Sequence, residues 1–153
     1  MKKKELDQID KQILHLLIQD ANASYVDIAK QIYVSAATVH VRVKNLRATG
    51  VIESAHTQVN LSALGYQVVA FVAIYLDRSS YYTDVLSALQ QLPEITNVHS
   101  TTGSYSLFAK VVCKDHTHLH DLLHLHIQEL KGVQRTESFI SLNEPISRGV
   151  SLL

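Results

Sequence analysis

An unbroken apolar run, Val68-Val-Ala-Phe-Val-Ala-Ile-Tyr-Leu76, lies between Gln67 and Asp77. Its β-branched and aromatic content predicts a strand. At strand period, Val68, Ala70, Val72, Ile74 and Leu76 share one face, and Val69, Phe71, Ala73 and Tyr75 share the other. A strand that is apolar on both faces needs a cover on each. The run is too short to span a bilayer as a helix. The chain must therefore build a sheet around it and layer helices on at least one side.

The residues that follow supply those parts. Residues 81–92 place Val85, Leu86, Leu89 and Leu92 on one helical face, and Pro93 closes that helix. Ile95 to Thr102 and Tyr105 to Lys114 read as strands joined at the turn pair Gly103-Ser104. His116 to Leu130 reads as a helix with Leu119, Leu122, Leu123, Ile127 and Leu130 inward, ended by Gly132. Val133 to Leu142 is a fourth strand. The order β-α-β-β-α-β is the ferredoxin-like split unit, with both helices on one face of an antiparallel sheet. The second face of the first strand then stays uncovered, and another subunit's sheet is the economical cover. A homodimer through this domain is expected.

Before residue 51 the period is different. Leu6, Ile9, Ile13, Leu16 and Leu17 recur at helical spacing. Ser24 is an N-cap for a second helix over 24–32, with Asp27 as an acidic variant of the capping box. Tyr33-Val34 is the connection, Ser35 caps a third helix, and Gly50 stops it. Val39-His-Val-Arg-Val43 alternates like a strand, but Val39, Val43 and Leu46 are at helical spacing, and the flanking signals decide for the helix. The expected architecture is α+β: a helix-turn-helix (winged-helix-like) domain over 1–52, a linker or strand over 53–64, and a ferredoxin-like domain over 65–153. Val51-Ile52 and Gln58 to Leu61 read as short strands or linker.

Overall charge does not indicate the partner. The 153 residues carry 14 Lys plus Arg and 14 Asp plus Glu. Locally the third helix is basic: Arg42, Lys44 and Arg47 are its formal charges. In a helix-turn-helix the second helix of the pair enters the major groove N-terminus first. Ser35, Ala36, Ala37, Thr38, Val41 and Arg42 then stand at base edges and the helix entry. Lys44, Asn45 and Arg47 stand at phosphates. The plainer alternative is a three-helix packing domain with a solvated basic face, and spacing alone does not separate the two.

The chain also resembles a known family. Leu6-Asp-x-x-Asp10-x-x-Ile-Leu14, Ile28-Ala29, and Val34-Ser35-x-x-x-Val39-x-x-Arg42-Val43-x-x-Leu46-x-x-x-Gly50-Val51-Ile52 are similar to the N-terminal domain of the Lrp/AsnC (feast/famine) regulators. Leu64-Gly65-Tyr66 and Thr102-Gly103-x-Tyr105 continue the likeness into the second domain. Thr38 to Val43 and Thr101 to Phe108 look closest to the asparagine-responsive members. Two departures stand out: the usual Gly-Arg after the first helix is replaced around Asp20-Ala-Asn22, and Ser106 occupies a place that is acidic in many members. The resemblance implies a transcriptional regulator on double-stranded DNA, responsive to a small amino acid such as asparagine. It implies a homodimer that assembles further, to an octamer. It also implies an effector site near Thr101, Thr102, Gly103, Ser104, Tyr105 and Ser106, completed by Gln134, Thr136 and Ser138 of a neighbouring subunit. Hydroxyls and amides beside a glycine suit a carboxylate and a side-chain amide. With Ser106 uncharged, Glu137 or backbone carbonyls are the acceptors left for the ligand's ammonium.

Other chemistry finds less support. His116, His120 and His124 are spaced by four residues in a run that also holds His118 and His126. Such pairs bind zinc in some proteins, but a His-rich polar helix face is the preferred reading, and no metal or cofactor is expected. No phosphate-binding glycine loop or nucleophile arrangement appears, so no enzyme is expected. The single cysteine, Cys113, fits a reducing cytoplasm, and no apolar segment follows the basic start. The remaining alternative is a ferredoxin-like ligand-binding or metabolic module without DNA binding.

Overall fold

The computed structural model describes residues 5–55 and 57–152. The chain divides into two compact units. One comprises the residues up to Gln58 together with those from Pro145 on; the other runs from Val59 to Glu144.

In the first unit, α1 spans Gln8–Gln19, α2 Tyr25–Gln31 and α3 Ala36–Ala48. Each begins at a side-chain cap. Asp7 accepts from the Asp10 amide, Ser24 from Asp27 and Ser35 from Thr38. The Ser24 hydroxyl also donates to the Asp27 carboxylate, in place of the backbone bond of a full capping box. Helix α3 ends in a Schellman turn: Gly50 at φ 71° donates to Arg47, and Val51 donates to Leu46. Ile13, Ile28, Ala29, Val39 and Val43 form the core between the helices.

The residues after Pro145, which the sequence reading counted with the second domain, group with the helices. Gly149 lies so close to α1 that a β carbon there would stand 2.3 Å from Ile18 Cγ2. This tail, with His15, Ile18, Gln19 and Gln58, borders a cavity of about 450 Å³. No strand forms at Val51-Ile52 or Gln58 to Leu61; a short 3₁₀ turn, Ser62–Leu64, precedes the second unit's sheet.

The second unit contains β1 (Val68–Leu76), α4 (Tyr82–Leu89), β2 (Ile95–Ser100), β3 (Leu107–Cys113), α5 (His116–Asp121) and β4 (Val133–Ile140). The sheet order is β2-β3-β1-β4, and every neighbouring pair is antiparallel. Strand β1 is central, as an apolar run requires. Val68, Ala70, Val72 and Ile74 pack with Val85, Leu89, Leu119, Leu122 and Ile127 on the helix side.

Helix α5 does not continue as an α-helix to Leu130. From Leu122 to Ile127 it widens into a π-helical turn, and the Gln128 amide donates to Leu123 five residues back. The reason lies in packing. Leu122 and Ile127, five residues apart, are both fully buried, and a π turn brings that spacing onto one face. No helix among the described residues is long and apolar enough to cross a membrane.

Candidate nucleic-acid interface and ligand segment

On α3, Val39, Val43 and Leu46 are fully buried, and the opposite stripe carries Ala37, Val41, Lys44 and Ala48, all exposed. Val41 is 55% exposed. Ser35, Asn45 and Arg47 are exposed, whereas Ala36 and Thr38 are half-buried. The Ser35 and Thr38 hydroxyls bond each other at 2.8 Å. His40 is exposed on the same helix with its ring edge-on to Tyr25, 5.9 Å between centroids. In the sequence it is marked by its place one residue before Val41.

Arg42, the remaining basic residue of α3, has acidic partners within the helical unit. Its Nη1 pairs with the Asp7 carboxylate and lies 3.2 Å from Asp10 Oδ1. Asp10 is 1% exposed, within the helical core. The Asp10 amide and the Arg42 guanidinium together hold the Asp7 carboxyl below its ordinary value of 3.8. Arg42 thus ties α3 to the start of α1. The positive charges that α3 leaves at its exposed surface are Lys44 and Arg47.

The segment from Thr101 to Ser106 links β2 to β3. The Thr101 amide donates to the Ser106 carbonyl at 3.1 Å, and the Thr101 hydroxyl donates to the Tyr105 carbonyl. The Ser106 amide donates to Ile74 of β1 at 3.0 Å. Thr102, Gly103 and Ser104 are exposed; Thr101, Tyr105 and Ser106 are half-buried. Tyr105 joins an aromatic row on the sheet face away from the helices, stacking on Phe108 at 5.4 Å and meeting Tyr75 edge-on at 5.9 Å. Phe71 stacks on Phe108 at 5.8 Å, and Arg135 covers the Tyr75 ring at 3.5 Å.

Strand alternation divides the β4 candidates. Thr136 and Ser138 pair with Ile74 and Val72 and share their helix-side face. Gln128 donates to the Thr136 hydroxyl at 2.8 Å. Gln134, beside the register shift at the start of β4, is exposed. Glu137 pairs with Ala73 on the opposite face, where Arg135 bonds its carboxylate and holds its pKa below the ordinary value. Within one chain, β1 stands between β4 and the Thr101–Ser106 segment. A second cavity, of about 420 Å³, opens between α4 and β2, and its lining reaches Ser100, one residue short of that segment.

Two histidines of α5, His118 and His120, have acidic partners of their own. His118 Nε2 lies 3.0 Å from Glu94, and its Nδ1 accepts from the Lys114 amide at 3.3 Å. His120 bonds Asp121 at 3.3 Å, and its ring centroid is 4.4 Å from that of His124. No three His, Cys, Asp or Glu side chains form a metal-holding group among the described residues.

Comparison with known proteins agrees with this arrangement. Residues 6–47 match the AsnC-type helix-turn-helix domain, and residues 69–151 match the Lrp/AsnC ligand binding domain. The chain is 38% identical to Regulatory protein AsnC of Escherichia coli (strain K12) over 145 residues, 95% of each sequence. It superposes on the structure of E. coli AsnC with a TM-score of 0.90 at 37% identity, covering 97% of this chain and 99% of that one. It superposes also on a feast or famine regulatory protein from M. tuberculosis complexed with L-methionine, with a TM-score of 0.87 at 31% identity, covering 94% and 96%. The alternatives of a plain three-helix packing domain and of a module without DNA binding are thereby set aside. Helices α1 to α3 are a DNA-binding helix-turn-helix, the four-stranded unit follows it, and the chain belongs to the Lrp/AsnC family of transcriptional regulators, which are not enzymes.

Proposed function

We propose that this regulator reads double-stranded DNA with the exposed stripe of α3 and responds to a small amino acid, asparagine being the first candidate. Ala37 and Val41 face base edges, and Lys44, Asn45 and Arg47 face phosphates. Ser35, Ala36 and Thr38 set the helix entry, while Arg42 holds α3 in place from behind. The observation that carries the DNA half is the segregation of α3, apolar and paired inward, with Val41, Lys44 and Arg47 outward.

The effector half rests on Thr101 to Ser106. Thr102 and Ser104 offer exposed hydroxyls, each both donor and acceptor, as a carboxamide requires. The matched ligand-binding family and the L-methionine in the mycobacterial neighbour support an amino acid as ligand. The likeness of Thr101 to Phe108 to asparagine-responsive members supports asparagine. Gln134, Thr136 and Ser138 join the site from a neighbouring subunit. Glu137 is already matched by Arg135, which leaves the ligand's ammonium to backbone carbonyls.

The face bearing Phe71, Tyr75, Tyr105 and Phe108 supports a homodimer through the sheet, with Phe139, 53% exposed, at its β4 margin. Ligand at the junctions between dimers, up to an octamer, biases assembly and through it DNA binding. Titration calorimetry with asparagine, and with aspartate and methionine as comparisons, tests the effector. Heat with asparagine that Thr102→Val weakens supports the site; no heat with any common amino acid refutes it. Sedimentation tests the dimer, and a monomer at micromolar concentration refutes that part.

A further inference from the structure

Tyr33 is the residue in the α2–α3 turn with a positive φ, 57°. It terminates α2 as Gly50 terminates α3: the next amide, Val34, donates to Ala29 five residues back at 3.0 Å. This position in a Schellman turn favours glycine, because a β carbon is crowded in the left-handed conformation and glycine is not. The chain uses glycine for the equivalent position at residue 50 and tyrosine at residue 33. The fold gains little in return, since Tyr33 is 94% exposed.

The turn sits beside the end of α3 that enters the groove. Ser35, two residues on, caps α3, and a recognition helix enters the major groove with that end leading. The segment just before it therefore passes the groove wall, where the phosphates lie. Tyrosine hydroxyls are among the neutral groups that bond phosphate oxygens. We propose that Tyr33 is a DNA-backbone contact, its phenol hydroxyl donating to a phosphate at the groove edge and fixing how far α3 enters. This rests on the DNA-binding assignment above. The contact is neutral, so it adds affinity without releasing a counterion and without reading sequence.

Fluorescence anisotropy tests this with the full chain on two duplexes, the DNA upstream of its own gene and a mixed-sequence duplex, over a salt series. Wild type, Tyr33→Phe, Tyr33→Gly and Lys44→Ala are compared, with thermal melts of each. Lys44→Ala is expected to flatten the salt slope by about one unit. Tyr33→Gly is expected to melt at or above the wild-type temperature while binding both duplexes roughly ten-fold more weakly at an unchanged salt slope. Tyr33→Phe is expected to share most of that loss. Wild-type affinity in Tyr33→Phe overturns the hydroxyl assignment. A lowered melting temperature in Tyr33→Gly overturns the proposal by making the ring a structural part. A change in oligomer size with unchanged affinity overturns it in favour of a protein contact. Wild type that binds neither duplex refutes the DNA assignment itself, and with it this proposal.

Discussion

Val41 is a branched apolar side chain on a helix face that otherwise presents Ala37, Lys44 and Ala48. Contact with the C5-methyl of a thymine gives it a function there. The magnitude follows from its exposure. Burying a whole valine side chain is worth about 2 kcal/mol. With 55% of Val41 still exposed, burial of the remainder against a methyl group is worth about 1 kcal/mol, or about five-fold in affinity. Val41→Ser removes that contact at little cost to the fold, because serine and valine have similar helix propensities and the site is at the surface. The assay replaces each thymine of a bound duplex, one at a time, by uracil, which lacks the methyl. Wild type should lose about five-fold at one thymine per half-site, by the same estimate. Val41→Ser removes the contact from both half-sites of a dimer, so it should bind the unmodified duplex about 25-fold more weakly and lose nothing further at either thymine. If the variant keeps the wild-type thymine-to-uracil profile, Val41 does not touch a methyl group and the reasoning fails.

Three further outcomes follow from the structure. Asp7 has a lowered pKa in the fold, so its contribution to stability is present above its ordinary value of 3.8 and is lost as pH falls through the lower folded value. Arg42→Met should lower the melting temperature at neutral pH and flatten the pH dependence below 3.8; an unchanged acid limb would contradict the pairing. Burial pushes the Cys113 thiol up to about 11, so iodoacetamide at about pH 8 should leave it unmodified until the protein is unfolded, as mass spectrometry would record. Gly149→Ala places a β carbon against Ile18 and should increase proteolysis after Pro145, with Ile18→Ala in the same chain restoring protection.

The elements and caps were legible in the sequence because their causes are local. Ser24 and Ser35, the two caps read from the sequence, bond amides within three residues of themselves, and Asp7 does the same for α1. The central strand declared itself by being apolar on both faces. What was not legible depends on residues distant in the chain or on a choice between near-equal packings. Arg42 read as one of three basic residues on a helix, and its partners lie on α1, 32 and 35 residues away. Asp10 carried a trace of that pairing, as an acid set among Ile9, Ile13 and Leu14. The Leu122-Leu123 pair permits either an α or a π turn down to Ile127, and only the sheet's demand selects the second. Alternation along β4 was available in the sequence and already separates Glu137 from Thr136 and Ser138. The close approach of the tail to α1 has no periodic signature, and its one sign is the bare backbone of Gly149.

The helical unit is assembled from two pieces of chain with the whole four-stranded unit between them. The order of synthesis therefore matters. On the ribosome α1, α2 and α3 emerge first, but the segment that covers Ile18 follows only after every strand of the sheet has been made. During that interval the flank of α1 is open to other proteins. The helical unit is thus complete only after the four-stranded unit has been synthesised.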